Sequence, residues 1–243
     1  MKRVLTEVGK GDYELGDLGD ATRSYVKAEI DKMVRAHEGK AGPRPPSGLW
    51  YGIKAPVSML LLPFFGDRWR RWKFVHVVRD GRDIAFSGNV SPVRKFYEFS
   101  DHKDGLASME VKQIRLWSDW NSDVHEWCER EANRNQNFDF LVVKLEDFVD
   151  PRTRYAVVEK VADFVGSPLS PEERCCVSKK GQHDLGSHSH TGLSLSQRYG
   201  KWRGKVDGKP ELKEELEMEG ARGLDLFEYE PYSAFVGQTD CSC

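Results

Sequence analysis

Apolar positions recur along the chain at two different spacings. From Asp20 to about Glu38, Val26, Ile30, Met33 and Val34 share one side of a 3.6-residue repeat, and Asp20 can cap the first turn, so a helix is predicted. A longer helix is predicted over about Ala107 to Arg134, where Ile114, Trp117, Trp120, Val124 and Trp127 step by three and four. Its tryptophan stripe has the spacing of a core-facing surface rather than a ligand platform. Two short runs rich in β-branched and aromatic residues read as strands instead: 73–78 (KFVHVV) and 138–148 (FDFLVVKLEDF). WYGIK at 50–54 reads as a third, short strand, and Pro56 suits an early helical position before MLLLPFF.

Turn and cap signals divide the remainder. Residues 1–19 are Gly-rich and acidic, and GKAGPRPPSG (39–48) is a linker. A helix from about Thr153 to Val165 is stopped by Gly166 and Pro168. Ser170-Pro171-Glu172-Glu173 is a capping box that opens another helix. A Gly/Ser/His-rich loop (181–197), the basic RYGKWRGK (198–205), a charged helix ending PELKEELEMEG, and LFEYEPY follow. Strands and helices alternate after residue 50, which predicts an α/β fold with a parallel sheet covered on both faces. The 243 residues fit one such domain, with 1–49 as an irregular and helical N-terminal segment.

Composition narrows the function classes. Hydrophobic residues make up 39% and charged residues 31%, enough for a packed core. A formal net charge of −2 provides no global field for nucleic acid, so phosphate recognition must be local. DRWRRWKF (67–74) alternates Trp with Arg, yet reads as a helix-to-strand connection and not as a nucleic-acid platform. No run of about twenty apolar residues forms a membrane span, and the first residues lack the apolar core of a signal peptide. The five cysteines contain no C-x-x-C pair, and Cys128 reads as core. His183, Asp184, His188 and His190 raise a metal site, but Gly and Ser at that density indicate a flexible loop, and no metal is expected.

The densest chemistry lies at 73–87. A buried strand ends in Arg79, Gly81 permits a tight turn, and Ser87 falls one turn into the next helix. A guanidinium and a hydroxyl beside free helix N–H groups form an anion site where open α/β sheets bind ligands. The competing structural role is an Arg that caps a sheet edge and a Ser that bonds back to its own helix. At 198–202, Gly200 lets backbone approach an anion while Arg198 and Lys201 supply charge; the alternative is a basic surface loop.

R-D-x-R-D-x-x-x-S after a V-V strand resembles the 3′-phosphate-binding segment of sulfotransferases that use 3′-phosphoadenosine-5′-phosphosulfate. GIKAP (52–56), the W-x-x-W-N helix (Trp117, Trp120, Asn121), VVKLEDF (142–148) and RYGKWRGK are similar to further family segments, in the family's order. The resemblance covers about residues 50–232. It implies a three-layer, P-loop-NTPase-like α/β fold. It also implies that Arg79, Ser87, Arg198, Gly200 and Lys201 hold the nucleotide co-substrate, and that Lys54 is catalytic, neutralising charge on the sulfonate and its leaving phosphate. The implied reaction is sulfonate transfer to a hydroxyl or amine, without a metal, on a small molecule, a glycan or a tyrosine. The compartment, cytoplasm or Golgi lumen, is left open by the sequence. The family's P-x-x-G-[ST]-[ST] loop has no counterpart, since VGKG at 8–11 is not followed by Ser or Thr. Pro56 stands where cytosolic relatives place a His, and Leu145 where the family has a Tyr. These departures imply an N-terminally truncated or a degenerate copy, and leave open a pseudoenzyme that binds a nucleotide or anion without turnover. A nucleotide kinase is disfavoured by the missing G-x-x-x-x-G-K-[ST].

Overall fold

The computed structural model describes residues 20–40, 52, 54, 56–66, 71–102, 105–150, 152–183 and 199–230. The elements in order are α1 (Asp20–Lys40), a 3-10 turn (Pro56–Leu61), α2 (Leu62–Gly66), β1 (Trp72–Val78), α3 (Gly81–Ala85), α4 (Ser91–Phe96), a 3-10 turn (Tyr97–Phe99) and α5 (Met109–Arg134). They continue with β2 (Phe138–Lys144), α6 (Leu145–Val149), α7 (Arg154–Val165), α8 (Pro171–His183), α9 (Trp202–Val206) and α10 (Pro210–Leu226). Among the described residues β1 and β2 pair in a small parallel sheet, with α5 in the crossover between them. This is a mixed α/β fold, as the alternating pattern predicts. The WYGIK strand lies mostly outside the described residues, and its Gly52 and Lys54 carry no regular structure.

The chain divides into two compact units, and β1, α5 and β2 contribute residues to both. In the first unit Val26 and Ile30 of α1, and Leu62, Phe64 and Phe65 of α2, are buried. Its aromatic centre is Trp72, with ring centroids 4.3 Å from Phe138 and 6.0 Å from Trp127. Cys128 is fully buried there, and desolvation pushes its thiol well above the usual range, so it is an inert core residue.

The second unit packs α3, α5, α9 and α10 around Val78, Ala85, Val111, Ile114, Trp117, Trp202, Leu216 and Phe227. The α5 stripe is core: Ile114 and Val124 are completely buried, Trp117 and Trp127 nearly so, and Trp120 packs against Val93, Tyr97 and Leu116. The helix that opens at Pro210 does not stop at Gly220 but runs to Leu226. Gly220 and Gly223 explain this. A Cβ on Gly220 would sit 2.6 Å from Ile114, and one on Gly223 would sit 2.7 Å from Trp117, so the two glycines let α10 lie directly on α5. Ser118 seals the contact, accepting from the Gly223 N–H at 3.0 Å.

Local cap chemistry falls where the sequence places it. Gly166 ends α7 with φ 78°. The Ser170 N–H donates to Glu173 Oε2 at 2.8 Å and the Glu173 N–H donates to Ser170 Oγ at 3.2 Å, closing the capping box. The strand expected over 138–148 ends early, at Lys144, and its tail turns into the short α6. There Glu146 accepts the Asp80 N–H, at 2.9 Å.

Candidate anion site at the end of the first strand

The site is built where β1 ends, within the second unit. Arg79 follows Val78 directly, and its side chain is 24% exposed. One Nη lies 3.5 Å from Asp83 Oδ2, and the guanidinium carbon lies 5.2 Å from the Tyr199 ring centroid. Asp83 is wholly buried. Its carboxylate accepts the Gly200 N–H at 2.8 Å and the Trp202 N–H at 3.2 Å. One buried acid therefore binds the basic Gly-containing segment to the turn after β1. Burying that charge is tolerable because two N–H donors and a guanidinium surround it.

Arg82 completes the scaffold from the opposite direction. Its side chain is 2% exposed and grips Asp80 through Nε at 3.0 Å and Nη at 2.9 Å. It also donates to Glu217 at 3.3 Å and to the Glu230 carbonyl at 2.8 Å. Its guanidinium lies 4.1 Å from the Trp202 ring centroid. Asp80 in turn caps α3 by accepting the Arg82 N–H at 2.9 Å. Glu146 Oε2 accepts the Tyr229 hydroxyl at 3.1 Å. Burial lifts the Glu146 carboxyl above its ordinary range, opposed by the hydrogen bond from the Asp80 N–H.

Two expectations for this segment are corrected. The first turn of α3 is not a set of free donors: the Asp80 carboxylate takes the Arg82 N–H, and the Asp80 carbonyl takes the N–H groups of Asp83 and Ile84. Gly81 opens α3 directly after the Asp80 cap, at the tight turn expected of it and without a positive φ. A Cβ there would run into the Trp117 ring. Ser87 does not lie within the following helix. α3 ends at Ala85, and Ser87 Oγ accepts the Asn89 N–H at 3.2 Å, forming a local turn.

Of the residues expected at the site, Arg79 and Gly200 are brought together through Asp83. Gly200 adopts φ 69°, a left-handed conformation that favours glycine. Lys201 is half-buried and precedes α9, so the expected loop is partly a short helix. Arg198 and the His-rich stretch from Asp184 to His190 lie outside the described residues. Lys54 is exposed and belongs to the first unit. Asp83 and Arg82 were not singled out by the sequence reading. The usable signal was a second Asp and Arg inside RDGRD, because charged side chains next to a buried strand need partners.

Residues 67–184 match the family model described as the sulfotransferase domain. A sulfotransferase 2A1 from Macaca fascicularis is 23% identical over 154 residues, covering 61% of this chain and 47% of that protein. The human sulfotransferase 2A1 is 24% identical over 123 residues, 49% of this chain and 39% of that protein. A 3-beta-hydroxysteroid sulfotransferase from Cavia porcellus is 24% identical over 131 residues, 51% of this chain and 40% of that protein. The chain thus spans less than half the length of these curated relatives. No solved structure matches. Over residues 67–184 the chain is thus similar to the sulfotransferases.

Proposed function

We propose that the protein binds 3′-phosphoadenosine-5′-phosphosulfate through a three-layer, P-loop-like domain and transfers its sulfonate to an acceptor hydroxyl or amine. The carrying observation is the Asp83 carboxylate, which holds Gly200 and Trp202 beside Arg79 where β1 ends. In this reading Arg79, Ser87, Arg198, Gly200 and Lys201 hold the nucleotide, with the guanidinium on the 3′-phosphate. The acceptor oxygen bonds to sulfur as the bond from sulfur to the 5′-phosphate oxygen breaks. Lys54 neutralises charge on the leaving phosphate, and the acceptor proton passes to a general base. Charge stabilisation by Lys and backbone donors needs no metal. One relative is named for 3-beta-hydroxysteroids, so a small hydroxyl compound is the first acceptor to try.

A second reading is a nucleotide- or anion-binding module without turnover. It is favoured by the lack of any P-x-x-G-[ST]-[ST] pattern within residues 1–243. Transfer of labelled sulfonate to a panel of hydroxysteroids, phenols, glycans and tyrosine peptides separates the two. Turnover that Lys54→Ala abolishes supports the transferase. Nucleotide binding without turnover by these 243 residues supports the module.

A further inference from the structure

The nucleotide-binding reading rests on the contacts of Asp83 but gives that carboxylate no role of its own. It is completely buried, yet three groups converge on its carboxylate: the N–H groups of Gly200 and Trp202 and the guanidinium of Arg79. Two of these belong to the segment at 199–202 and the third to the turn after β1. The same segment lays Tyr199 against the Arg79 guanidinium, while Trp202 rests on Arg82. The segment is therefore anchored at Asp83, and Arg79 is flanked on two sides by Asp83 and Tyr199.

We propose that Asp83 is a positioning residue, coupling the docking of Tyr199–Trp202 to the orientation of Arg79 and so to recognition of a phosphate by that guanidinium. The phosphate in question is the 3′-phosphate of the preceding section, on which this second half of the inference rests. A carboxylate that merely sat near the site would repel an anion, and removing its charge would strengthen binding. A positioning carboxylate gives the opposite sign, because without it Arg79 and the Gly200 loop lose their shared anchor. The two roles are thus separated by the direction of change.

The test has two arms. Hydrogen exchange of a peptide spanning Tyr199–Val206 reads docking without any ligand. In Asp83→Ala it should accelerate at least tenfold, while peptides from β2 keep their protection. Binding of adenosine 3′,5′-bisphosphate against adenosine 5′-monophosphate reads orientation. In Asp83→Asn, which keeps one acceptor and the fold, preference for the bisphosphate should fall about tenfold. In an Arg79→Ala background Asp83→Asn should change that preference no further. Unchanged exchange in the segment, equal weakening of both nucleotides, or tighter bisphosphate binding would each overturn the proposal. If the unaltered protein shows no preference, the nucleotide reading fails, and exchange together with a thermal double-mutant cycle on Arg79 and Asp83 decides the rest. Coupling between them then supports the clamp, and additivity overturns it.

Discussion

The Gly200 N–H donates to the Asp83 carboxylate at 2.8 Å, across 117 positions of sequence. The bond joins the turn after β1 to the basic segment before α9, and with the Trp202 N–H it fixes the backbone on both sides of Lys201. Gly200 reaches this position through φ 69°. Its Cβ would approach only the tip of the Arg203 side chain, at 2.9 Å, which can move aside. The backbone conformation is therefore what demands glycine. Gly200→Ala should cost about 1–2 kcal/mol of docking free energy. It should weaken nucleotide binding roughly 5–30-fold in titration calorimetry. Gly204→Ala is the control: it lies in α9 with nothing within 4 Å of a Cβ, and should leave binding unchanged.

Gly81 presents a packing problem instead of a conformational one. The Trp117 ring fills the space a Cβ would need. Gly81→Ala should destabilise the fold by about 1–3 kcal/mol through overpacking. Denaturant unfolding should show less than additive loss when it is combined with Trp117→Leu, because the smaller side chain makes room.

Arg115 donates two hydrogen bonds to Glu219, at 2.6 and 2.8 Å, and a third to the Tyr97 hydroxyl at 3.2 Å. The Glu219 interaction holds the guanidinium firmly charged. Glu219→Ala strands that cation. The expected loss is about 3 kcal/mol, the low end for a broken buried pair, because Glu219 is 20% exposed. Arg115→Met with Glu219→Met should cost less than Glu219→Ala alone. A larger loss in the double variant would contradict this account of the pair.

The pH dependence follows from Glu146, whose folded-state pKa lies above its ordinary value mainly through burial. A raised carboxyl pKa means that its contribution to stability is fully present below the unfolded-state value. It is lost as pH rises through the folded-state value. Stability should therefore slope downward across the mildly acidic range, and Glu146→Gln should flatten the slope. Asp150 acts in the opposite direction at lower pH. The bonded Arg152 side chain holds its carboxyl down to about 2, so its contribution is lost as pH falls from the ordinary carboxylate range toward that value. Thermal melts across pH in the wild type and Glu146→Gln check both signs.

What could be read from the sequence was local. The capping box at Ser170–Glu173, the stop at Gly166 and the buried face of α5 depend on residues within a few positions of each other, and all three stand in the structure. The anion-site segments were legible as motifs, but the bonds between them were not. Asp83 has its partners at Gly200 and Trp202, and Glu146 has its partner at Asp80; no periodicity encodes either pairing. Gly220 misled for the same reason: it reads locally as a stop, but a side chain of α5 lies against it. The placement of Ser87 one turn into the helix failed more simply, since α3 ends before reaching it.

The central claim is that Arg79, held by Asp83 at the end of β1, recognises a nucleotide 3′-phosphate. Titration calorimetry with adenosine 3′,5′-bisphosphate and adenosine 5′-monophosphate tests it most directly, on the unaltered protein and on Arg79→Ala. A charge-assisted bond of this type contributes about 1.5–3 kcal/mol. The account predicts that the bisphosphate binds roughly 10- to 100-fold more tightly, and that Arg79→Ala erases most of that preference while leaving the monophosphate nearly unaffected. Equal affinity for the two nucleotides, or a preference that survives Arg79→Ala, would contradict it.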